Sequence, residues 1–366
     1  MKLETFKDDL RFAITNADRL TGKNLSLSAL SYILLEAIDR YLVIKATNLD
    51  LGVEILVPSK ITTTGRLLVS GAVLANFLNN LSKDDKVNLE AKLNNLAVTT
   101  LHTKSVFNTY PADDFPSIPK LTSPAIKLST PQLLTGIKAV IYAASTSDIK
   151  PEIASVYLYQ NQGDLVFVAT DSFRLAEKRI ILEKKIKEPL SLIIPLRNAA
   201  EILRVFDGES GEVALQSTPN QLSLSTDRIY LTSRLVDGVF PDYRQIMPTS
   251  AKTEVVVLRH DLVNTLKLAN IFSDKLNQIN LKVAVKDGLL ELSSRNADVG
   301  EVASSLEATL EGEDVEASYN VRFILDCFAS ISSDSVNLKL NTKNRPLVVS
   351  GIGDHSFTYL VMPLNR

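Results

Sequence analysis

The chain has 366 residues, 40 of them basic and 42 acidic, for a formal net charge of −2 at pH 7. That balance excludes a uniformly basic surface built to grip nucleic acid, and a single cysteine excludes a disulfide framework. No apolar run approaches the roughly 20 residues a membrane helix needs, and the opening MKLETFKDDL is too charged for a signal peptide, so a cytoplasmic location is expected.

The first predicted element is an amphipathic helix over FKDDLRFAITNA, with Leu10 on its apolar face. A strand and turn follow at LVIKATNLDLGVEI from Leu42, a second helix at SGAVLANFLNNL from Ser70, and strands at VNLE from Val87 and LAVTT from Leu96. Phe115-Pro116 then opens PSIPKLTSP, a natural boundary. The order now starts again. STPQLLTGIKAVIYAA carries Leu133 in the place of Leu10, followed by LVFVATDSFRLAEK from Leu165, PLRNAAEILRVF from Pro195, VALQ from Val213, LSLST from Leu222, and Phe240-Pro241 before a second boundary at YRQIMPTSAK. A third pass runs through LRHDLVNTLKLANIF with Leu262, LLELSSRNADVGEV from Leu289, NVRFILDCFASI from Asn320, VNLKL from Val336 and LVVSG from Leu347.

The second helices start at Ser70, Pro195 and Asn320, 125 residues apart each time. Their apolar positions coincide: Leu74 with Ala199 and Ile324, Phe77 with Ile202 and Cys327, Leu78 with Leu203 and Phe328, Leu81 with Phe206 and Ile331. Each copy therefore predicts an α+β module in which two helices pack on one side of a β-sheet. The expected domains are 1-121, 122-250 and 251-366, each long enough to bury a core. A threefold repeat of domain-sized units points to a geometric scaffold and away from a single catalytic pocket.

No long linker separates the copies, so neighbours should pack rigidly. If consecutive modules join by strand pairing, the helices line an arc whose two ends carry unpaired edges, and a symmetric dimer would cover both. Twelve helices at roughly 9 Å spacing make a circle about 35 Å across, leaving about 25 Å clear, wide enough for a DNA duplex.

ATDSFRLA (169 to 176), SRLVDGVFPDYRQIMP (233 to 248), YNVRF (319 to 323) and YLVMPLNR (359 to 366) carry a more specific signal. With them, the whole chain resembles the bacterial DNA polymerase III beta subunit, the sliding clamp. The resemblance implies three tandem clamp domains and a ring-shaped, head-to-tail homodimer with helices lining the bore. It implies a processivity factor that encircles double-stranded DNA without sequence preference and has no chemistry of its own. The implied partners are the DNA polymerase III alpha subunit, the clamp loader and other proteins with clamp-binding motifs, docking in a hydrophobic cleft.

The family's cleft maps onto Ile153, Thr170, Arg174, Leu175, Pro241, Ile246, Asn320, Phe323, Val361, Met362, Pro363 and Leu364. Several of these place apolar groups in Pro-interrupted segments where a strand or helix cannot easily hide them, a setting suited to an extended peptide with Leu or Phe anchors. For Ile153, Leu175 and Phe323 the alternative is sealing the interface between modules. The chain departs from the family at Ser172-Phe173 in place of Gly-His, at Gln245 in place of Arg, at Phe323 in place of Tyr, and at the terminal Leu364-Asn365-Arg366, so peptide preference is expected to differ.

Over the predicted helical windows, eight basic residues against four acidic ones leave +4, and hence −6 for the remainder. A mildly positive lining on an acidic body suits loose attraction to phosphates. By resemblance, Lys23, Lys150 and Arg197 match basic positions of the bore, whereas Pro151-Glu152 and Gly71-Ala72 lack groups found there in relatives. Phe107, Ile271 and Phe272 are candidates for the dimer interface, or ordinary core residues.

Little in the sequence points to catalysis. His102, His260 and His355 lie in different modules without metal-ligand spacing, Cys327 falls on a buried helix face, Asp113-Asp114 reads as a solvated loop pair, and Gly351-Ile352-Gly353 reads as a turn. No metal, cofactor or enzymatic activity is expected. The alternatives from residues alone are a non-clamp multidomain peptide-binding scaffold and an enzyme with an inter-domain active site.

Overall fold

In a computed structural model, which describes residues 1–22, 27–81, 85–248, 250–342 and 344–364, the first repeat runs β1 (Lys2–Phe6), α1 (Lys7–Arg19), β2 (Ile33–Ile38), β3 (Tyr41–Thr47), β4 (Leu51–Thr63), β5 (Gly65–Val69), α2 (Gly71–Asn80), β6 (Lys86–Lys92), β7 (Asn95–Thr99) and β8 (Lys104–Tyr110). The second runs β9 (Ile126–Ser129), α3 (Thr130–Val140), β10 (Ser155–Asn161), β11 (Asp164–Thr170), β12 (Arg174–Ile180), β13 (Ser191–Pro195), α4 (Leu196–Val205), β14 (Glu212–Thr218), β15 (Gln221–Ser225) and β16 (Ile229–Arg234). The third runs β17 (Thr253–Leu258), α5 (Arg259–Ile271), β18 (Gln278–Ala284), β19 (Leu289–Asn296), β20 (Gly300–Leu306), β21 (Ala308–Gly312), β22 (Val315–Asn320), α6 (Val321–Asp326), β23 (Ser335–Leu340), β24 (Leu347–Gly351) and β25 (Phe357–Val361).

The starts of α2, α4 and α6 keep the spacing of 125. Their apolar faces are buried at Leu74, Leu78, Ala199, Ile202, Phe206, Ile324, Cys327, Phe328 and Ile331. Phe77, Leu81 and Leu203 stay partly exposed. Phe77 uses its free edge to meet Phe107 of β8, with ring centroids 5.3 Å apart and planes near perpendicular.

One helix departs from the sequence pattern. α6 stops at Asp326 and tightens into a 3₁₀ turn over Cys327–Ser330, where the Cys327 thiol donates to the Ile324 carbonyl and Ser330 Oγ donates to the Ala139 carbonyl at 3.1 Å. α1 begins at Lys7, within the expected helix, and its Asp8 and Asp9, which precede the window counted for charge, favour its N-terminal end. The described helices then carry nine basic and six acidic side chains, a net of +3 in place of the expected +4.

The chain groups by contact into Met1–Pro131 with Ala200–Leu235, and Gln132–Ala199 with Val236–Arg366. The grouping cuts the middle repeat because that repeat divides its strands. β9, β14, β15 and β16 join the first repeat in a 12-stranded sheet, ordered β1-β6-β7-β8-β5-β2-β3-β4-β16-β15-β14-β9. β10 to β13 join β25, β24, β23, β17 and β21 in a 9-stranded sheet of the other group, which also holds a 4-stranded sheet ordered β20-β19-β18-β22.

Strand pairing forms both junctions between repeats. In one group β16 lies antiparallel to β4, with Ser233 opposite Leu51 and Thr232 opposite Gly52. In the other β25 lies antiparallel to β12, with Val361 opposite Arg174 and Leu360 opposite Leu175. The equivalent strand of the third repeat, β20, pairs with β19 and has no strand on its outer edge among the described residues. β8, the first repeat's counterpart of β16 and β25, pairs fully with β7 but meets β5 only at Thr109 and Tyr110.

Candidate functional site

The segment before β12 is a turn that the chain builds twice. Thr170 Oγ1 accepts from the Ser172 N–H at 3.1 Å and donates to the Arg174 carbonyl at 2.7 Å, while Asp171 Oδ1 accepts from the N–H groups of Phe173 and Arg174, both at 2.9 Å. Before β4, Thr47 makes the same two bonds to Leu49 and Leu51, and Asn48 Oδ1 accepts from Asp50 and Leu51. Leu49 and Ser172 share a φ of 77°. Side chains that cap their own backbone in this way fix a tight turn without help from packing.

Antiparallel pairing sorts the neighbouring side chains onto two faces, because directly opposed residues point the same way. Leu175 and Leu360 are both fully buried on one face, in a cluster with Tyr159, Val166, Val168, Ile193, Phe240 and Tyr243. Arg174 and Val361 point to the other face. There Arg174 lies over the Phe323 ring at 4.5 Å, its Nε donates to Asp171 at 2.9 Å, and its Nη1 donates to Asp326. Burial lowers the guanidinium pKa, but Tyr359, Asp326 and Asp171 outweigh that and hold it above its ordinary value. Beside it the Tyr359 hydroxyl donates to the Phe323 carbonyl at 2.8 Å, and burial pushes that phenol's pKa up.

A chain of hydroxyls holds the Phe240 to Ile246 segment against the sheet. Arg244 donates to the Tyr159 oxygen at 2.8 Å, the two tyrosine oxygens lie 2.8 Å apart, and Tyr243 donates to Glu177. The ends fix the direction: Tyr243 spends its proton on Glu177, so Tyr159 donates to Tyr243. Phe240 stacks on Tyr157, with centroids 4.7 Å apart. This anchoring leaves Pro241 and Ile246 exposed, the latter at 47%. The final segment is pinned twice, by Met362 N–H to the Phe173 carbonyl and Leu364 N–H to the Ser318 carbonyl, both at 2.8 Å.

Among the expected cleft residues the structure separates lining from support. Pro241 and Ile246 are exposed, and Phe323, Met362, Pro363 and Leu364 are half-buried. Ile153, Thr170, Leu175 and Val361 are buried. Asn320 is committed locally: its oxygen caps α6 by accepting from Arg322 and Phe323, and its amide donates to the Leu276 carbonyl. Sequence reasoning missed Leu360 in the floor, whereas Phe173, which it marks as a departure from the family, stands 62% exposed on the turn. The alternation Leu175, Leu360 would have found the former.

Residues 1–119, 127–242 and 244–365 match, in turn, the N-terminal, central and C-terminal domains of the DNA polymerase III beta subunit. The chain belongs to this family. It is 27% identical over 376 residues to the beta sliding clamp of Synechococcus elongatus, covering 100% of this chain and 99% of that protein. To the beta sliding clamp of Staphylococcus aureus it is 24% identical over 350 residues, covering 93% and 92%. The crystal structure of the DNA polymerase III beta subunit of Thermotoga maritima aligns with a TM-score of 0.93 at 27% identity, over 100% of this chain and 99% of that one. The sliding clamp of Pseudomonas aeruginosa bound to griselimycin aligns with a TM-score of 0.94 at 24% identity over both full chains, a likeness of fold. The fold is thus three tandem clamp domains of the beta subunit type.

For the bore positions expected from the family, Lys150 and Arg197 are both exposed, and Lys23 lies outside the described residues. The structure brings Arg197 to the loop that carries Lys150, since its Nη2 donates to Asp148 at 2.9 Å. Of the dimer candidates, Ile271 is exposed at 63% at the end of α5, Phe272 is half-buried with its ring near Gly300 at the start of β20, and Phe107 is half-buried. Cys327 is fully buried, and burial drives its thiol pKa upward, which suits packing and not nucleophilic attack. No helix among the described residues is long and apolar enough to cross a membrane.

Proposed function

We propose that this chain is a DNA sliding clamp, a non-catalytic processivity factor that encircles duplex DNA and tethers the replicative polymerase. Membership of the DNA polymerase III beta subunit family carries this reading. The domains are taken as 1-121, 122-250 and 251-366, and the working form as a head-to-tail homodimeric ring in the cytoplasm.

The strand junctions support closure. Two of the three repeats hand an edge to the next, and among the described residues the corresponding outer edge of β20 and the free part of β8 are left for a second chain. Two chains can satisfy both at once, with Phe107, Ile271 and Phe272 at the contact. Lys150 and Arg197 would face the phosphates, and the groove around Leu175, Pro241, Ile246, Phe323 and Met362 to Leu364 would take extended peptides of the polymerase alpha subunit, the clamp loader and other clamp-binding proteins.

Primer extension by the cognate polymerase and clamp loader on a long circular template tests the reading. The chain should lengthen the product made per binding event, and Ile271→Glu, which breaks closure, should not. Equal product lengths with and without the chain would overturn it.

A further inference from the structure

The junction of β4 with β16 repeats that of β12 with β25, but with its chemistry inverted. The Arg234 N–H donates to the Asp50 carbonyl at 2.8 Å, the same bond that the Met362 N–H makes to the Phe173 carbonyl. The registers agree, since Thr232 lies opposite Gly52 where Leu360 lies opposite Leu175. Four apolar residues of one junction, Leu175, Leu360, Phe173 and Met362, are thus replaced in the other by Gly52, Thr232, Asp50 and Arg234.

A cavity of about 230 Å³ opens at this polar junction, with Leu49, Asp50, Ser117, Gln221, Thr232 and Arg234 in its lining. The segment between the first two repeats forms one wall. A Cβ on Gly52 would stand 3.2 Å from Ile118, so the glycine lets that segment lie directly on the strands. The Tyr230 hydroxyl donates to the Pro119 carbonyl at 2.8 Å, and Lys120 pairs with Glu54 at 2.6 Å while lying 3.6 Å over the Tyr230 ring. The wall is therefore fixed before any guest arrives, which lowers the ordering cost of binding.

The polar groups of the cavity are uncommitted. Among the described residues the Arg234 guanidinium and the Asp50 carboxylate make no ion pair, and no hydrogen bond engages the Gln221 amide or the Ser117 hydroxyl. Arg234 and Gln221 are directly opposed in the pairing of β16 with β15, so guanidinium and amide share one face. Two side chains that donate, with a hydroxyl beside them, suit a carboxylate. Asp50 accepts N–H groups such as a peptide backbone brings, and it repels a guest of higher negative charge such as a phosphate dianion. A volume below the roughly 300 Å³ where small-molecule sites begin suits one side chain and not a whole cofactor.

We propose that this cavity is a second recognition site, which takes an acidic side chain from an extended segment of a partner protein, with Arg234 and Gln221 holding the carboxylate. The site is separate from the groove around Leu175 and does not depend on it.

Fluorescence anisotropy on the full chain tests it with short labelled peptides of Ala, Ser and Thr that differ only in one central residue, Glu, Gln or Lys. The Glu peptide should bind about tenfold tighter than the Gln peptide, and the Lys peptide no better than the Gln one. Arg234→Gln, which removes a side chain that holds nothing in the fold, should keep the wild-type melting temperature and bring the Glu-to-Gln ratio to about one. Gln221→Leu should weaken the Glu peptide about threefold. Equal binding of the Glu and Gln peptides by the wild-type chain, or an unchanged ratio in Arg234→Gln, overturns the proposal. So does loss of the ratio in Arg197→Ala, which would put the acid on the DNA-binding residues, or displacement of the Glu peptide by a Leu- and Phe-rich peptide, which would put it in the groove.

Discussion

Arg174 is ion-paired to Asp326, 152 positions further along the chain, and stacked on Phe323 of the same helix, α6. The contact ties the turn before β12 to α6, and so joins the two elements that flank the groove. Asp326 is 44% exposed while Arg174 is 12% exposed, so solvent screens one end only. Arg174→Ala is expected to cost about 1–2 kcal/mol, read by urea denaturation, and to weaken peptide binding about fivefold by loosening that flank. Arg174→Lys should recover little, because lysine cannot fork to two carboxylates and stack at once.

Asp164 is the buried carboxylate of the second repeat, with Lys185 at 2.5 Å, Arg179 at 3.2 Å and the Leu182 N–H at 2.8 Å. Burial raises its pKa, but these partners outweigh burial and hold it below the ordinary value. A lowered folded-state pKa contributes stability that is present above the unfolded value of about 3.9 and is lost as pH falls through the folded one. Asp164→Asn should therefore lose about 2 kcal/mol at pH 7, reduced from the deep-burial figure because Lys185 is half-exposed. The gap to wild type should close as pH drops below about 4, followed by chemical denaturation at each pH.

Gly136 lets α3 lie directly on β11. A Cβ at this position would overlap the ring of Phe167, which is fully buried and cannot swing away. Gly136→Ala is expected to destabilise by about 2–3 kcal/mol, against the helix-propensity gain of about 1 kcal/mol the same change would give on an exposed face. Thermal unfolding of the variant gives the sign directly.

Arg197 and Lys150 should act through phosphate contacts alone. Arg197→Ala is expected to weaken DNA binding equally across sequences and to reduce the slope of log affinity against log salt by about 0.9. Asp148→Asn should do the reverse, since it frees Arg197 from its carboxylate partner. A salt titration of duplex binding measures both.

The repeat was legible because apolar spacing survives wherever a helix packs on a sheet, as at Leu74, Ala199 and Ile324. The strand junctions were foreseen only in kind. Nothing local in Leu51 or Arg174 states which strand will lie opposite, since pairing partners are set by sheet edges far away in sequence. Asn320 and Thr170 are expected at the groove by resemblance, and the structure also has them cap α6 and the turn before β12. Small polar side chains favour such local bonds, and sequence alone does not tell a cap from a contact. α6 ends where Cys327 bonds back to Ile324 and Ser330 reaches across to the Ala139 carbonyl, a contact that no helical periodicity encodes.

Retention on DNA by linkage separates a clamp from any protein that holds DNA by affinity. Loaded by its clamp loader onto nicked circular DNA and freed of unbound protein at high salt, the chain should stay on the circles. It should leave when a restriction enzyme opens them. Release from intact circles at the same rate as from linear DNA would contradict the account.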